Sequence, residues 1–260
     1  MKQQIKKLLP VSVFRAVEPF GHKLEAMAVS ARYGFPAKGL RIIGVTGTNG
    51  KTTTSFMIHR MLHEAGYKVG LMTTVAYGAG DDIHPQIAHM TTLSSPALNR
   101  RIAELKNRGI EWLVLETTSH ALAQHRVWGV PYEIAVSTNV THEHLDYHGT
   151  FEAYKRAKQR LFQIAARHPR GFGIINADDP ESVAFSESSK QILTYGLKKG
   201  ELRAKKVKLS SEGSTYEATI GKDTLKICCQ IPGEFNVYNS LAAVAVGRHV
   251  GLTSKQIEDG

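Results

Sequence analysis

The chain has 260 residues, of which 42% are hydrophobic, and this is enough for one large α/β domain or two small ones with a buried core. No apolar run approaches the roughly 20 residues that a membrane-spanning helix needs, and the N-terminus lacks the pattern of a signal peptide. The formal net charge of +10 favours an anionic partner, but the lysine clusters lack the interleaved aromatic residues of a single-stranded nucleic-acid groove, so we expect no nucleic-acid partner.

Residues 5–33 mix apolar and basic side chains at helical spacing, and Pro10 interrupts the pattern. A basic amphipathic helix of this kind either packs on its own domain or makes peripheral contact with an acidic membrane, and both readings stay open for residues 1–35. We therefore divide the chain into a short basic helical segment, residues 1–40, and a main domain, residues 41–260.

Apolar strands and helices alternate from residue 41 onwards. The predicted strands cover residues 41–45, 68–73, 112–116, 133–139, 172–176 and 191–195, and the predicted helices cover residues 52–65, 96–108 and 151–167. This pattern predicts an α/β fold of the phosphate-loop type, with a mostly parallel sheet flanked by helices. Ligands of such sheets bind at the carboxyl ends of the strands, where Lys51, Glu116 and Asn139 all fall.

Residues 197–232 follow a different pattern. Short alternating runs separated by Gly213 and by the turn at residues 221–223 predict a small antiparallel β-meander appended to the main sheet. The only cysteines, Cys228 and Cys229, are adjacent in the last run, which indicates packing residues and a reducing cytoplasm. A helix is predicted over residues 236–250, and the next one begins at Ser254, so we expect the natural protein to continue.

The apolar residues 42–43 lead into a glycine-rich turn and then a helix. Such a turn suits a nucleoside triphosphate, because backbone N–H groups and the helix N-terminus face the phosphates. Lys51 is expected to reach the β- and γ-phosphates, and the Thr52 hydroxyl to ligate Mg²⁺. Only Val45 departs from the general phosphate-loop pattern, so we predict that the chain binds ATP. The predicted nucleotide-binding residues of this loop are Gly47, Thr48, Asn49, Gly50, Lys51, Thr52 and Thr53.

Polar side chains also follow the strand that ends at Glu116. Its carboxylate is suited to hold Mg²⁺, directly or through water. The hydroxyl, amide and guanidinium groups of residues 117–126 are suited to grip a polar anionic substrate, although an ordinary polar surface loop has the same composition. Three histidines within residues 142–148 raise the alternative of zinc, but without a neighbouring cysteine a single histidine beside Mg²⁺ is favoured.

Together these segments resemble the central ATPase domain of the Mur ligases, and most of all the MurE members. These enzymes add amino acids to the UDP-N-acetylmuramoyl peptide precursor of the bacterial cell wall. The matching segments, in the family's order and spacing, are residues 46–54, 116–120, 124–126, 143–149, 157–158, 176–179 and 233–239.

The resemblance implies roles for single residues. The implied catalytic residues are Lys51, Asn139, His144 and Lys158. The implied metal ligands are Thr52, Glu116, His144 and Lys158, for two Mg²⁺ ions. Asn236 and Asn239 are implied to approach the adenine. The residues implied to contact the muramoyl-peptide are Thr91, Thr92, Ser119, Gln124 and Arg126. Lys158 matches a lysine that the family carries as a CO₂-derived carbamate, an anion that can ligate a metal where a plain lysine would repel it.

The implied reaction is ATP-dependent amide formation. A substrate carboxylate attacks the γ-phosphate to give an acyl phosphate, and the amine of an incoming amino acid then displaces phosphate. The first forty residues are shorter than the family's UDP-binding domain, which leaves the carrier open between a UDP-linked and a lipid-linked one. We expect the C-terminal ligase domain to be absent after Gly260, and the piece to be a monomer with little or no ligase activity alone. Two alternatives stay open: a related ligase of the folylpolyglutamate or cyanophycin type, and a non-catalytic nucleotide-binding module.

Overall fold

The computed structural model describes residues 11–86 and 93–260. Its strands are β1 (Arg41–Thr46), β2 (Val69–Met72), β3 (Ala76–Ala79), β4 (Asp82–Pro85), β5 (Trp112–Glu116), β6 (Tyr132–Ser137), β7 (Phe172–Asn176), β8 (Ile192–Gly196), β9 (Leu202–Ser210), β10 (Gly213–Ile220) and β11 (Asp223–Cys229). Its helices are α1 (Val11–Arg32), α2 (Lys51–Glu64), α3 (Ser95–Asn107), α4 (Ser119–Ala123), α5 (Leu145–His148), α6 (Phe151–Ala165), α7 (Ser182–Ser186), α8 (Glu234–Val250) and α9 (Ser254–Asp259).

The described strands form one sheet in the order β11-β10-β9-β8-β7-β6-β1-β5-β2-β3-β4. The strands from β9 to β2 run parallel, and an antiparallel pair closes each end of the sheet. The expected α/β architecture with its appended antiparallel meander is therefore confirmed. Strand β1 lies at the centre, so the loop that follows it opens at the middle of the sheet's carboxyl edge.

Helices cover both faces of the parallel sheet. Ile43 packs in the core that includes the buried faces of α2 and α8, whereas its neighbour Ile42 packs in the core shared with α3 and α6. Successive side chains of a strand point to opposite faces, and both faces are buried here. This double cover explains why the sequence shows continuous apolar strands.

The boundaries of the predicted strands and helices agree with the structure within a few residues, but the short helices α4, α5 and α7 were not predicted. The strand expected over residues 133–139 ends at Ser137, so Thr138 and Asn139 form a loop beyond the sheet. The hairpin of β3 and β4 was not expected at all, because its strands have only four residues each and no clear alternation. This hairpin extends the sheet beyond β2.

Helix α1 is described from Val11 to Arg32, and the predicted interruption at Pro10 lies outside the described residues. It packs on α3 and buries Ala26 and Ser30, while Phe20 and Leu24 face solvent. None of the described helices combines the length and the apolar character that crossing a bilayer requires. In β11, Cys228 is exposed and Cys229 is buried, because adjacent strand residues face opposite sides, so only Cys229 is a packing residue as expected.

Candidate active site

Glycines shape the loop between β1 and α2. Gly47 and Gly50 have φ angles of 150° and 80°, in the region that disfavours other residues. A Cβ atom on Gly50 would lie 2.2 Å from the Asn239 Oδ1 atom, and one on Gly47 would lie 1.9 Å from the Thr138 Oγ1 atom. The loop therefore needs glycine at both positions for its conformation and for its close neighbours.

The loop after β6 holds the phosphate loop in place. The backbone N–H of Thr48 donates to the Asn139 carbonyl at 2.7 Å, and the N–H of Asn49 donates to the Asn139 Oδ1 atom at 2.9 Å. The Thr138 hydroxyl donates to the Asn49 carbonyl at 2.6 Å. Asn139, one of the implied catalytic residues, thus lies at the loop and contacts its backbone.

A hydroxyl and a carboxylate meet beside Lys51 at the start of α2. The Thr52 hydroxyl donates to the Glu116 Oε2 atom at 2.9 Å, and the backbone N–H of Thr74 donates to the same oxygen at 3.1 Å. The Lys51 Nζ atom donates to the Thr48 carbonyl at 2.7 Å. Burial lowers the pKa of Lys51, while the charges of Glu116 and Glu143 oppose that shift.

Lys158 is not one more lysine on a helix face, as its position alone would suggest. Its side chain is 1% exposed, and its Nζ atom donates to the Gly47 carbonyl at 2.5 Å. The Nζ atom also lies 4.4 Å from the centre of the Tyr154 ring. Burial, followed by the positive charge of Lys51, holds the pKa of Lys158 well below its usual range. Burial at this position therefore disfavours the charged form of the Lys158 side chain.

Tyr154 connects the phosphate loop to the histidines. Its hydroxyl lies 3.1 Å from the Thr48 Oγ1 atom, and its ring centre lies 5.2 Å from that of His148. His144 is the N-cap residue before α5 and has a φ of 55°, and its ring centre lies 4.9 Å from that of His120. Burial and the charge of His120 lower the pKa of His148 to about 4.

Two of the predicted substrate residues contact α5. The Ser119 Oγ atom lies 3.0 Å from the His148 Nε2 atom, and the Gln124 Nε2 atom donates to the Tyr147 hydroxyl at 2.8 Å. The Gln124 Oε1 atom is buried and accepts no hydrogen bond from another described residue. Arg126, with Glu116, borders a small cavity of about 30 Å³, and burial lowers the pKa of its guanidinium. Thr91 and Thr92 lie outside the described residues.

A second and larger cavity, of about 530 Å³, opens beside the phosphate loop. Its lining includes Gly50, Asn239, Tyr238 and Phe235, and the Phe235 side chain is 69% exposed. An exposed aromatic ring at a nucleotide-sized cleft offers a face on which a base can stack. The Tyr238 hydroxyl donates to the Asp178 Oδ2 atom at 2.9 Å, which fixes one wall of the cleft.

The two asparagines expected near adenine have different surroundings. The Asn239 Oδ1 atom accepts from the Thr54 hydroxyl at 3.2 Å, and its Nδ2 atom donates to the Asn236 Oδ1 atom at 2.9 Å. Asn236 is 2% exposed and donates to the Pro232 carbonyl at 2.8 Å. Asn239 thus borders the cleft, whereas Asn236 lies behind it and orients Asn239.

Across residues 11–86 and 93–260, no three His, Cys, Asp or Glu side chains form a group that would hold a metal ion by themselves. The Thr52 hydroxyl and the Glu116 carboxylate are hard oxygen donors, and Mg²⁺ typically takes only one or two such protein ligands together with phosphate oxygens and water. The residues present therefore fit Mg²⁺ bound together with a nucleotide.

Sequence reasoning missed four residues of this site. Thr74, Tyr154, Phe235 and Tyr238 contact or border the predicted residues, yet none of them belongs to a phosphate-binding or metal-binding pattern. Phe235 and Tyr238 carried a signal, since both lie inside the matching segment 233–239, next to Asn236 and Asn239. The others owe their position to strand order and helix packing.

Comparisons with known proteins identify the relatives of this chain. The family model of the Mur ligase middle domain matches residues 45–247. The UDP-N-acetylmuramoyl-L-alanyl-D-glutamate–2,6-diaminopimelate ligase of Geobacillus thermodenitrificans is 40% identical over 244 residues, which are 91% of this chain and 49% of the relative. The corresponding ligase 1 of Clostridium acetobutylicum is 36% identical over 259 residues, 99% of this chain and 52% of the relative.

A solved structure of a UDP-N-acetylmuramoyl-L-alanyl-D-glutamate–2,6-diaminopimelate ligase superposes with a TM-score of 0.80 at 30% identity, over 94% of this chain and 50% of that one. The chain thus spans about half the length of the relatives that it matches. The phosphate loop, Glu116, Lys158 and Asn239 all lie within the matched range. The chain belongs to the Mur ligase family, and residues 45–247 are its middle domain.

Proposed function

We propose that this chain is the nucleotide-binding part of an ATP-dependent amide ligase of peptidoglycan synthesis. One observation carries the proposal: the Thr52 hydroxyl meets the Glu116 carboxylate at 2.9 Å beside Lys51, with the buried Lys158 against the same loop. The names of the relatives support UDP-N-acetylmuramoyl-L-alanyl-D-glutamate as the acceptor and 2,6-diaminopimelate as the amino acid added.

We expect ATP to lie along the phosphate loop with its adenine in the cleft of about 530 Å³. Phe235 offers the stacking face, Asn239 offers an amide, and Lys51 offers positive charge to the β- and γ-phosphates. Thr52, Glu116 and His144 are the proposed ligands of Mg²⁺, which when bound neutralises charge on the phosphates. Asn236 acts through Asn239 as a positioning residue.

The acceptor is proposed to bind on the other side of the loop. Arg126 can pair with a carboxylate of the peptide, and the unpartnered Gln124 Oε1 atom can accept an N–H from it. Ser119 is held by His148 at the same edge. The acceptor carboxylate then attacks the γ-phosphorus, ADP departs, and the amine of the amino acid later displaces phosphate from the acyl phosphate with loss of a proton. Lys51 spreads the charge that develops in the first step.

We further propose that Lys158 is carbamylated. Its depressed pKa supplies a neutral amine, which adds to CO₂ and releases a proton to give an anion. That anion is favoured beside the Lys51 cation, whereas an ammonium group there would be repelled. A carbamate supplies two oxygens for a second Mg²⁺.

The cellular location and the oligomeric state of the protein also stay proposals. A reducing cytoplasm agrees with the free thiols of Cys228 and Cys229, and we expect a monomer. Peripheral membrane contact through residues 1–35 stays a prediction, as does the boundary at residue 40. The exposed Phe20 and Leu24 on α1 are the described side chains that would make such a contact.

Calorimetric titration of Mg·ATP into the chain tests the proposal. We expect saturable binding that requires Mg²⁺ and that Lys51→Ala abolishes, because the contact and the charge at the phosphates both disappear. Lys190→Ala is the matched control, since this exposed lysine lies before β8 and away from the loop. Unchanged affinity in Lys51→Ala would overturn the assignment of the phosphate site.

A further inference from the structure

The edge of the sheet opposite the phosphate loop contains a cavity of about 380 Å³. Its lining includes Phe35, Lys38, Arg41, Pro131, His168 and Arg170. Arg41 is the first residue of β1, and the phosphate loop follows the last residue of the same strand. At about 3.3 Å per residue, the two sites are on the order of 15–20 Å apart. The cavity is therefore distinct from the nucleotide site.

A buried carboxylate fixes two arginines at this cavity. The Glu133 side chain is 1% exposed, and its oxygens accept from the Arg41 Nε atom at 3.1 Å and from the Arg170 Nη2 atom at 3.0 Å. The Arg41 guanidinium also lies over the Trp112 ring, 3.8 Å from its centre. Burial opposes ionisation of Glu133, but the bonds from both arginines hold its pKa below the ordinary value. The orientation of both guanidinium groups is thus set before any ligand arrives.

The outer edges of these guanidinium groups remain available. Glu133 occupies the Nε and Nη2 atoms of Arg41 and the Nη2 atom of Arg170. The Nη1 atom of Arg41 and the Nε and Nη1 atoms of Arg170 donate to no other residue that the structure describes, and the two side chains are 36% and 63% exposed. Preorganised guanidinium N–H groups of this kind are suited to phosphate oxygens.

Lys38 adds a further positive charge to the same cavity, and His168 adds a ring N–H donor. The His168 Nδ1 atom accepts the backbone N–H of Arg170 at 3.2 Å, so the proton of a neutral ring lies on Nε2. Three permanent cations, Lys38, Arg41 and Arg170, line the cavity, and no carboxylate is among the described residues that line it. Glu133 lies behind the lining and pairs with the two arginines. The cavity carries an excess of positive charge.

An ion-pair cluster that only fastens β1, β6 and the turn before β7 would explain Glu133 with its two arginines. It would not explain why Lys38 and His168 line the same concave surface, or why Phe35 and Pro131 form an apolar wall beside them. We propose that this cavity binds a small phosphate monoester or diphosphate, with the phosphate on the cationic side and the organic part against Phe35. This is a ligand site separate from the proposed ligase reaction.

Tryptophan emission reports on this site directly. The chain has two tryptophans: Trp112 lies beneath Arg41, and the Trp128 ring centre lies 6.5 Å from that of Phe35. Phenyl phosphate, inorganic phosphate and sodium chloride at matched ionic strength are titrated into the chain. We expect a saturable change with both phosphates and tighter binding of phenyl phosphate, because its ring meets the apolar wall.

Four variants locate the response. Neither Lys38 nor His168 takes part in the ion pairs of Glu133, so replacing them leaves those pairs intact. Lys38→Gln and His168→Gln should each weaken phosphate binding about fivefold or more, because each removes a charge-assisted contact with the phosphate. Lys222→Gln, in the turn between β10 and β11, is the matched control and should leave the affinity unchanged. Lys51→Ala should also leave it unchanged, which separates this site from the phosphate loop.

Three results would overturn the proposal. One is a change in tryptophan emission with phosphate that is no larger than the change with sodium chloride. Another is a phosphate affinity in the double variant Lys38→Gln/His168→Gln that equals the affinity of the parent protein. The third is loss of the response in Lys51→Ala, which would place the phosphate at the nucleotide site instead. Failure of Mg·ATP to bind, by contrast, would affect the proposed ligase function and leave this site untouched.

Discussion

The Lys158 Nζ atom donates a hydrogen bond of 2.5 Å to the carbonyl oxygen of Gly47. A side chain of α6 with 1% exposure therefore contacts the first residue of the phosphate loop. The contact joins two segments that lie more than a hundred residues apart in the sequence. Helix α6 is thus part of the nucleotide site as well as part of the cover of the sheet.

Lys158→Ala is expected to abolish ligase activity in the full-length protein, because the proposed carbamate can no longer form. Acetate or formate should restore part of the activity by placing a carboxylate in the space left. Lys158→Met fills that space, so the same acids should not rescue it. The measurement is ADP release that depends on both the acceptor and the amino acid. Full activity in Lys158→Ala would refute the carbamate.

Tyr154→Phe is expected to weaken Mg·ATP binding severalfold, since the Tyr154 hydroxyl holds the Thr48 side chain at 3.1 Å. The loss of one buried hydrogen bond should also lower the free energy of unfolding by about 1 kcal/mol. Tyr216→Phe is the matched control, because it removes a similar bond of 2.8 Å to Ser240 in the meander core. Urea unfolding should give similar losses for the two variants, whereas calorimetry should find weaker nucleotide binding only in Tyr154→Phe. Equal affinities would contradict a role for the hydroxyl at the loop.

Phe235→Ala is expected to weaken ATP binding about tenfold without loss of stability, because one stacking contact contributes roughly 1–3 kcal/mol and the ring is 69% exposed. Inorganic tripolyphosphate has no base, so its affinity should be the same in the variant and the parent. Val183→Ala, at a side chain that is 66% exposed on α7, serves as the control. A parallel loss for tripolyphosphate would mean that Phe235 shapes the phosphate loop and does not stack on adenine.

His59 is expected to make the fold acid-sensitive. Burial lowers its pKa from 6.5 to about 4, and the Nε2 atom of the ring has no hydrogen-bond partner among the described residues. Below pH 6.5 the His59 ring binds a proton in the unfolded chain but stays neutral in the folded chain. The free energy of unfolding therefore falls as the pH decreases to about 4. The total loss is about 3 kcal/mol.

Urea midpoints at about pH 7 and about pH 5 measure this dependence. His59→Leu should make the dependence less steep, because His148 still carries a lowered pKa, whereas His84→Gln, at a histidine whose side chain is 58% exposed, should leave the dependence unchanged. An unchanged slope in His59→Leu would assign the acid sensitivity to other groups.

The parallel sheet could be predicted because its strands are buried on both faces and therefore read as uninterrupted apolar runs. The hairpin of β3 and β4 gave no such signal, since four-residue strands at the edge of a sheet are too short to show a period. The strand order could not be predicted either, because no local sequence pattern indicates that β1 lies between β5 and β6.

The candidate site divides in the same way. Lys51, Thr52 and Glu116 could be predicted because each belongs to a short pattern with its own chemistry. The burial of Lys158 depends on how α6 docks near the loop, and Thr74 reaches Glu116 only because β2 pairs with β5. Such contacts arise from tertiary packing, which single-sequence patterns do not encode.

Strand β8 pairs in parallel with β7 and also with β9, the first strand of the meander. Asp178 at the nucleotide cleft accepts the backbone N–H groups of residues 197–199, which connect β8 to β9. Insertions at the tips of the meander, near residues 211 and 222, leave these bonds intact and should be tolerated. An insertion of the same length at residues 197–200 would detach the wall of the cleft. The meander should therefore tolerate changes of length only in the turns near residues 211 and 222, because the Asp178 carboxylate holds the connection between β8 and β9.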